Sequence, residues 1–108
     1  MSSILAALAL VLEERKSASP QSSYVAALYA EGVDRILKKV GEEATELVLA
    51  GKGDDNAAIV HEAADLWFHT LVLLAYRGIP HEAVLEVLEE RMGVSGIQEK
   101  AARRLNND

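Results

Sequence analysis

Four carboxylates hold the chemistry this chain is equipped for. Glu62 and Asp65 are the only charged residues in an apolar run over positions 57–76, and Glu43 and Glu46 repeat their spacing earlier in the chain. Residues three apart project from the same side of a helix. A carboxylate taken out of water needs a partner, a proton or a metal, because burying its bare charge is costly. Two such pairs on consecutive helices point to one shared site.

Helical angles, at about 100° per residue, show how the pairs would face. With Glu43 at zero, Lys39 falls at roughly −40° and Glu46 at roughly −60°, while the apolar stripe of Val33, Ile36, Leu37, Val40, Ala44 and Leu47 centres near +70°. Glu43 should therefore border the core, with Glu46 just outside it, Lys39 between them and Glu42 turned toward solvent. With Glu62 at zero, Asp65 falls at roughly −60°, His69 at roughly −20° and Tyr76 at roughly −40°. That is the one polar stripe on a helix otherwise covered nearly all round by Ala, Leu, Val, Trp and Phe. Packing it on the Glu43–Glu46 edge gathers four carboxylates. Like charges about 4 Å apart repel by roughly 4 kcal/mol at an effective dielectric near 20. Mg²⁺ would relieve this, since it prefers hard oxygen ligands and binds substrate phosphates, and Mn²⁺ is an acceptable substitute. Zinc would want His or Cys.

The plain readings of the same residues are a solvated acidic face and surface cations at Lys38 and Lys39. Lys39 is equally placed to meet phosphate or to offset the acids. His69 reads as a satisfied core histidine, and Trp67 and Phe68 as core or subunit-interface residues.

The elements needed to position these groups are all helical. Half of the 108 residues are hydrophobic but only 5% are aromatic, which favours close-packed helices over a β-sandwich. The first helix, capped by Ser2 or Ser3, should run to about Lys16, and Pro20 lies in the break that follows. Ser22 or Ser23 should cap a short helix over 24–30, closed by Glu31-Gly32. The third helix spans about 33–50, stopped by Gly51-Lys52-Gly53. Asp54 or Asp55 caps the fourth, which ends near Arg77-Gly78. The fifth starts at Ile79-Pro80, turns Ala83, Val84, Val87 and Leu88 inward and ends at Gly93. A last short helix covers 97–105. This is an all-α, single-domain chain over 1–108: an N-terminal helix and break (1–21), a helical core (22–93), then the short helix and tail (94–108).

Net charge is −6, which argues against a nucleic-acid surface. The absence of cysteine excludes disulfides and thiolate zinc and fits the reducing cytoplasm. The run over 57–76 has the length of a membrane span, but two carboxylates and two histidines near its centre argue for a packed helix and no membrane.

The segment from Ser23-Tyr24 through Ala30-Glu31-Gly32-Val33-Asp34-Arg35-Ile36-Leu37-Lys38-Lys39-Val40-Gly41-Glu42-Glu43-Ala44-Thr45-Glu46 resembles the phosphoribosyl-ATP pyrophosphatases. So do Glu62-Ala63-Ala64-Asp65-Leu66-Trp67-Phe68-His69 and the late run from Arg91-Met92-Gly93 to Arg103. The paired acidic motif belongs to the wider group of all-α, MazG-like nucleoside triphosphate pyrophosphatases. Ser95-Gly96-Ile97-Gln98-Glu99-Lys100 points to the histidine-biosynthesis member. Val25 departs from the pattern, which has a small hydroxyl residue after Ser-Tyr. The resemblance implies Mg²⁺-dependent hydrolysis of phosphoribosyl-ATP to phosphoribosyl-AMP and pyrophosphate, the second step of histidine biosynthesis. Glu43, Glu46, Glu62 and Asp65 would be the metal ligands, and a homodimer would complete the bundle. Lys39, with Lys100 or Arg103, would steady phosphate charge, and Glu42 or Glu46 would take a proton from the attacking water.

Two other functions fit the same acids. One is a house-cleaning pyrophosphatase acting on dUTP or dCTP. The other is a non-catalytic helical dimerisation module. A di-iron bundle would want Glu-x-x-His pairs, and neither acidic pair has His three residues on.

Overall fold

The computed structural model describes residues 3–93. Among the described residues the chain forms five α-helices and no strand: α1 Ser3–Glu14, α2 Tyr24–Glu31, α3 Val33–Gly51, α4 Asn56–Arg77 and α5 Glu82–Met92. A 3-10 turn, Arg15–Ser17, prolongs α1. The all-α expectation holds, with helix ends within a residue or two of those predicted for all but the fifth helix. Ser2 and the short helix expected over 97–105 lie outside the described residues, as do Lys100 and Arg103.

Local chemistry sets the boundaries. Ser23 caps α2, its side chain accepting a hydrogen bond from the Ala26 amide at 3.1 Å. Gly32 both ends α2 and precedes α3, at φ 98°, a conformation a residue with a Cβ rarely adopts. Of the two acids predicted to cap α4, Asp55 does so, accepting from the amides of Ala57 and Ala58. Gly78 ends α4 in the left-handed region at φ 71°. Pro80 stands two residues before α5 rather than inside its first turn.

α3 and α4 form the most extensive helix pair, and they run antiparallel. Moving ten residues back along α3 takes Glu46 to Ile36, and moving ten forward along α4 takes Glu62 to Val72. The first two side chains share one acidic cluster and the second two share the apolar core. That core joins Leu12, Val25, Leu28, Ile36 and Val72, with Leu8, Tyr29, Phe68 and Leu71 packed around it. Val25, the departure noted above, is buried there, where an apolar side chain is the stabilising choice. The Tyr29 hydroxyl donates to the Leu12 carbonyl at 2.9 Å and ties α2 to α1.

Two expectations fail within a single chain. α4 is not covered all round: only His69 and Val72 are buried on it, and Trp67 is 65% exposed, so Trp67 is not a core residue. Nor does α5 turn an inner face to the core, because Val84, Val87 and Leu88 are all exposed. Both sequence patterns record apolar faces correctly, but the described helices do not cover them. Tyr76 also leaves the polar stripe and stacks on Tyr29, ring centroids 6.2 Å apart.

Ile36 is completely buried, so Ile36→Ala should cost about 2–5 kcal/mol of unfolding free energy. The readout is a lower urea midpoint at unchanged m-value.

Candidate metal centre

The antiparallel pairing places the second half of α3 beside the first half of α4, where both acidic pairs lie. Carboxylate oxygens of Glu43, Glu46 and Glu62 all lie within 4.8 Å of one another. Their exposure follows the angles read from sequence. Glu43 is only 6% exposed, Glu62 is half-buried and Glu46 is open to solvent. Asp65 belongs to a second such group, formed with Glu62 and His61. Its Oδ2 lies 3.3 Å from His61 Nε2. Glu62 is the member common to both groups.

Lys39 supplies the positive charge at this edge. Its Nζ lies 3.4 Å from Glu43 Oε2 and 3.6 Å from Glu42 Oε1. Burial works against the Lys39 charge, but Tyr24, Glu43 and Glu42 more than offset it and hold the ammonium above its ordinary pKa. Tyr24 is uncharged near neutrality, so the two glutamates carry the effect there.

His69 is buried and fully engaged, as a core histidine should be. Its Nδ1 lies 2.8 Å from the Asp65 carbonyl oxygen and its Nε2 2.8 Å from the Tyr24 hydroxyl. A carbonyl only accepts, so Nδ1 carries the proton, and in the neutral ring Nε2 accepts from Tyr24. His69 therefore fixes both the backbone beneath Asp65 and the direction of the Tyr24 hydroxyl. Burial pushes the Tyr24 phenol up, against the pull of Lys39 and Arg35.

Sequence reasoning singled out neither Tyr24 nor Arg35 as part of this neighbourhood. Arg35, Lys39 and Glu43 follow at four-residue spacing on one side of α3, a signal available in the sequence. Arg35 lies 3.4 Å from Glu31 through its Nε, which is buried without a hydrogen bond. Tyr24 had no such signal, since the contact with His69 joins residues 45 apart.

The donor set suits a hard divalent cation. Octahedral Mg²⁺ at about 2.1 Å from each ligand holds its oxygens roughly 3–4.2 Å apart. Three carboxylates already within 4.8 Å need only small rotamer changes to reach that spacing. All three are oxygen donors, and among the described residues His61, in the second group, is the one nitrogen ligand in either. What these residues form is a carboxylate cluster on an all-α scaffold, with a lysine at its edge.

Comparison with known proteins gives the family. The family profile for phosphoribosyl-ATP pyrophosphohydrolase matches residues 5–92. The phosphoribosyl-ATP pyrophosphatase of Methylococcus capsulatus is 54% identical over 94% of this chain and 97% of its own length. That of Trichlorobacter lovleyi is 58% identical over 94% of each chain. That of Geobacter metallireducens is 57% identical over 93% of this chain and 92% of its own. The chain belongs to the phosphoribosyl-ATP pyrophosphohydrolase family.

A cation bound at this cluster would favour the folded state by mass action, by about 2.7 kcal/mol at roughly a hundred times Kd. Titration with Mg²⁺ should therefore raise Tm by several degrees, and Glu62→Gln should remove the shift. A wild-type Tm indifferent to Mg²⁺ would rule out the cation assignment.

Proposed function

We propose that this chain hydrolyses phosphoribosyl-ATP to phosphoribosyl-AMP and pyrophosphate, with Mg²⁺ as cofactor and Mn²⁺ as a substitute. The observation that carries the reading is the convergence of Glu43, Glu46 and Glu62 beside Lys39, in a chain similar along nearly its whole length to enzymes with that name. The acids alone would repel a triphosphate, so a bridging cation is required for the two to meet.

Glu43, Glu46, Glu62 and Asp65 would hold the metal, which when bound neutralises phosphate charge and orients a water for attack on phosphorus. Glu43, buried on the core side, gives the cluster a fixed inner wall. Glu46 is the exposed member, open to solvent, and where it is not spent on the metal it is the carboxylate suited to accept the water's proton. Glu42 is the weaker candidate because Lys39 already pairs with it. Lys39 stays protonated at neutral pH and presents its charge to a departing or bridging phosphate oxygen.

The same reading makes the chain a cytoplasmic homodimer. α4 is the one described helix long and apolar enough to cross a membrane by length and composition. Glu62 on it meets the acids of α3, which favours helix-on-helix packing over lipid. Val60 and Trp67, seven residues apart on α4, leave one apolar side exposed, as do the apolar residues of α5. A second copy covering those faces accounts for both.

A related pyrophosphatase acting on dUTP or dCTP would use the same acids, so substrate preference separates the two. Pyrophosphate release should be robust with phosphoribosyl-ATP and weak with a panel of nucleoside triphosphates, and the reverse order would overturn the assignment. Glu62→Gln and Asp65→Asn should each abolish turnover by a hundredfold or more, on the order of removing a transition-state charge contact, with helical circular dichroism unchanged. Trp67, the single tryptophan, reports the interface directly. Sedimentation should give twice the monomer mass, and Trp67→Glu should return the chain to monomer.

A further inference from the structure

A cavity opens beside Tyr24, whose hydroxyl is held by His69. Its volume is about 400 Å³ and its lining includes Arg15, Ser22, Ser23, Tyr24 and Phe68, a size that suits part of a nucleotide. We propose that this cavity is the subsite for the phosphoribosyl arm, the part of the substrate that phosphoribosyl-ATP has and ATP lacks. The inference rests on the reaction proposed above and extends it to substrate selection.

Three features carry it. The first is Arg15, half-buried in the 3-10 turn after α1. Among the described residues its guanidinium has neither an ion-pair nor a hydrogen-bond partner, in a chain of net charge −6. A guanidinium presents a planar fork of donors that matches a phosphate. The second is the polarity of the walls. The Tyr24 O–H is spent on His69 Nε2, so its oxygen is left to accept from a ribose hydroxyl. Ser23 Oγ accepts from the Ala26 amide, which leaves its proton to donate. The rings of Tyr24 and Phe68 supply apolar surface for a flat base or a sugar face.

The third is position. Phe68 stands six residues beyond Glu62 on α4, roughly 9 Å along the helix axis. Tyr24 lies close enough to Lys39 and Glu43 to feel their charges. Tyr24 therefore borders the cavity on one side and feels the charges of the acidic edge on the other, and in the proposed pose a nucleotide with its triphosphate at the cluster runs past it toward Arg15. Cationic recognition then exists at both ends of a substrate that is anionic at both ends. ATP leaves Arg15 unused, so the arginine favours one substrate over the other.

Isothermal titration of the wild-type protein with phosphoribosyl-AMP and with AMP tests this without turnover. Phosphoribosyl-AMP should bind at least about tenfold more tightly than AMP, on the scale of one charge-assisted pair. Arg15→Gln should lose most of that preference, Arg15→Lys should keep part of it, and Glu62→Gln should leave it intact. Circular dichroism confirms folding of each variant. Equal affinity for the two ligands in the wild type, or a preference untouched in Arg15→Gln, overturns the subsite. Turnover of phosphoribosyl-ATP, assayed in parallel, judges the reaction separately: an inactive wild type that keeps the Arg15-dependent preference sinks the reaction and retains the subsite.

Discussion

Like-charge repulsion across the α3–α4 seam is the constraint to which the rest of the structure answers. Three carboxylates have oxygens within 4.8 Å of one another, and like charges so close repel, most strongly at buried Glu43, where solvent screens least. Lys39 relieves part of the cost, chiefly at Glu43. The remainder must be supplied by packing elsewhere and, in the proposed reading, by a bound cation.

That packing sits at the opposite end of the same helix pair. Ile36 and Val72, both fully buried, lie with Leu12 and Leu28 in the core, while Glu46 and Glu62 lie ten residues away on α3 and α4. One antiparallel pair therefore carries a stabilising apolar end and a destabilising acidic end, about 15 Å apart by helical rise. Such separation lets the site keep the charge its chemistry needs, since function draws on stability held elsewhere. His69 couples the two ends. It is buried, it holds the carbonyl of Asp65, and it orients Tyr24 from α2.

The fold also leaves work undone in a single chain. Trp67 on α4 and Val84, Val87 and Leu88 on α5 remain largely in water, where each costs stability relative to burial. The proposed dimer would cover these faces, and the proposed cation site also draws on α4, so in that reading one helix serves both.

Much of this was legible in the sequence because helices obey a simple angular rule. The all-α class, the helix ends at Gly32 and Gly78, and the inside–outside order of Glu43, Lys39 and Glu46 all follow from spacing and capping chemistry. Burial of α4 and α5 did not follow. Periodicity reports that a face is apolar and says nothing of whether the same chain covers it. Sequence also could not separate Asp65 from its fellow acids, although the fold sets it beside His61 rather than in the group of three. The Tyr24–His69 bond and the cavity at Arg15 join segments far apart in the chain, so only tertiary packing could decide them. Spacing along a helix determines which side a residue faces; what stands opposite depends on how the helices meet.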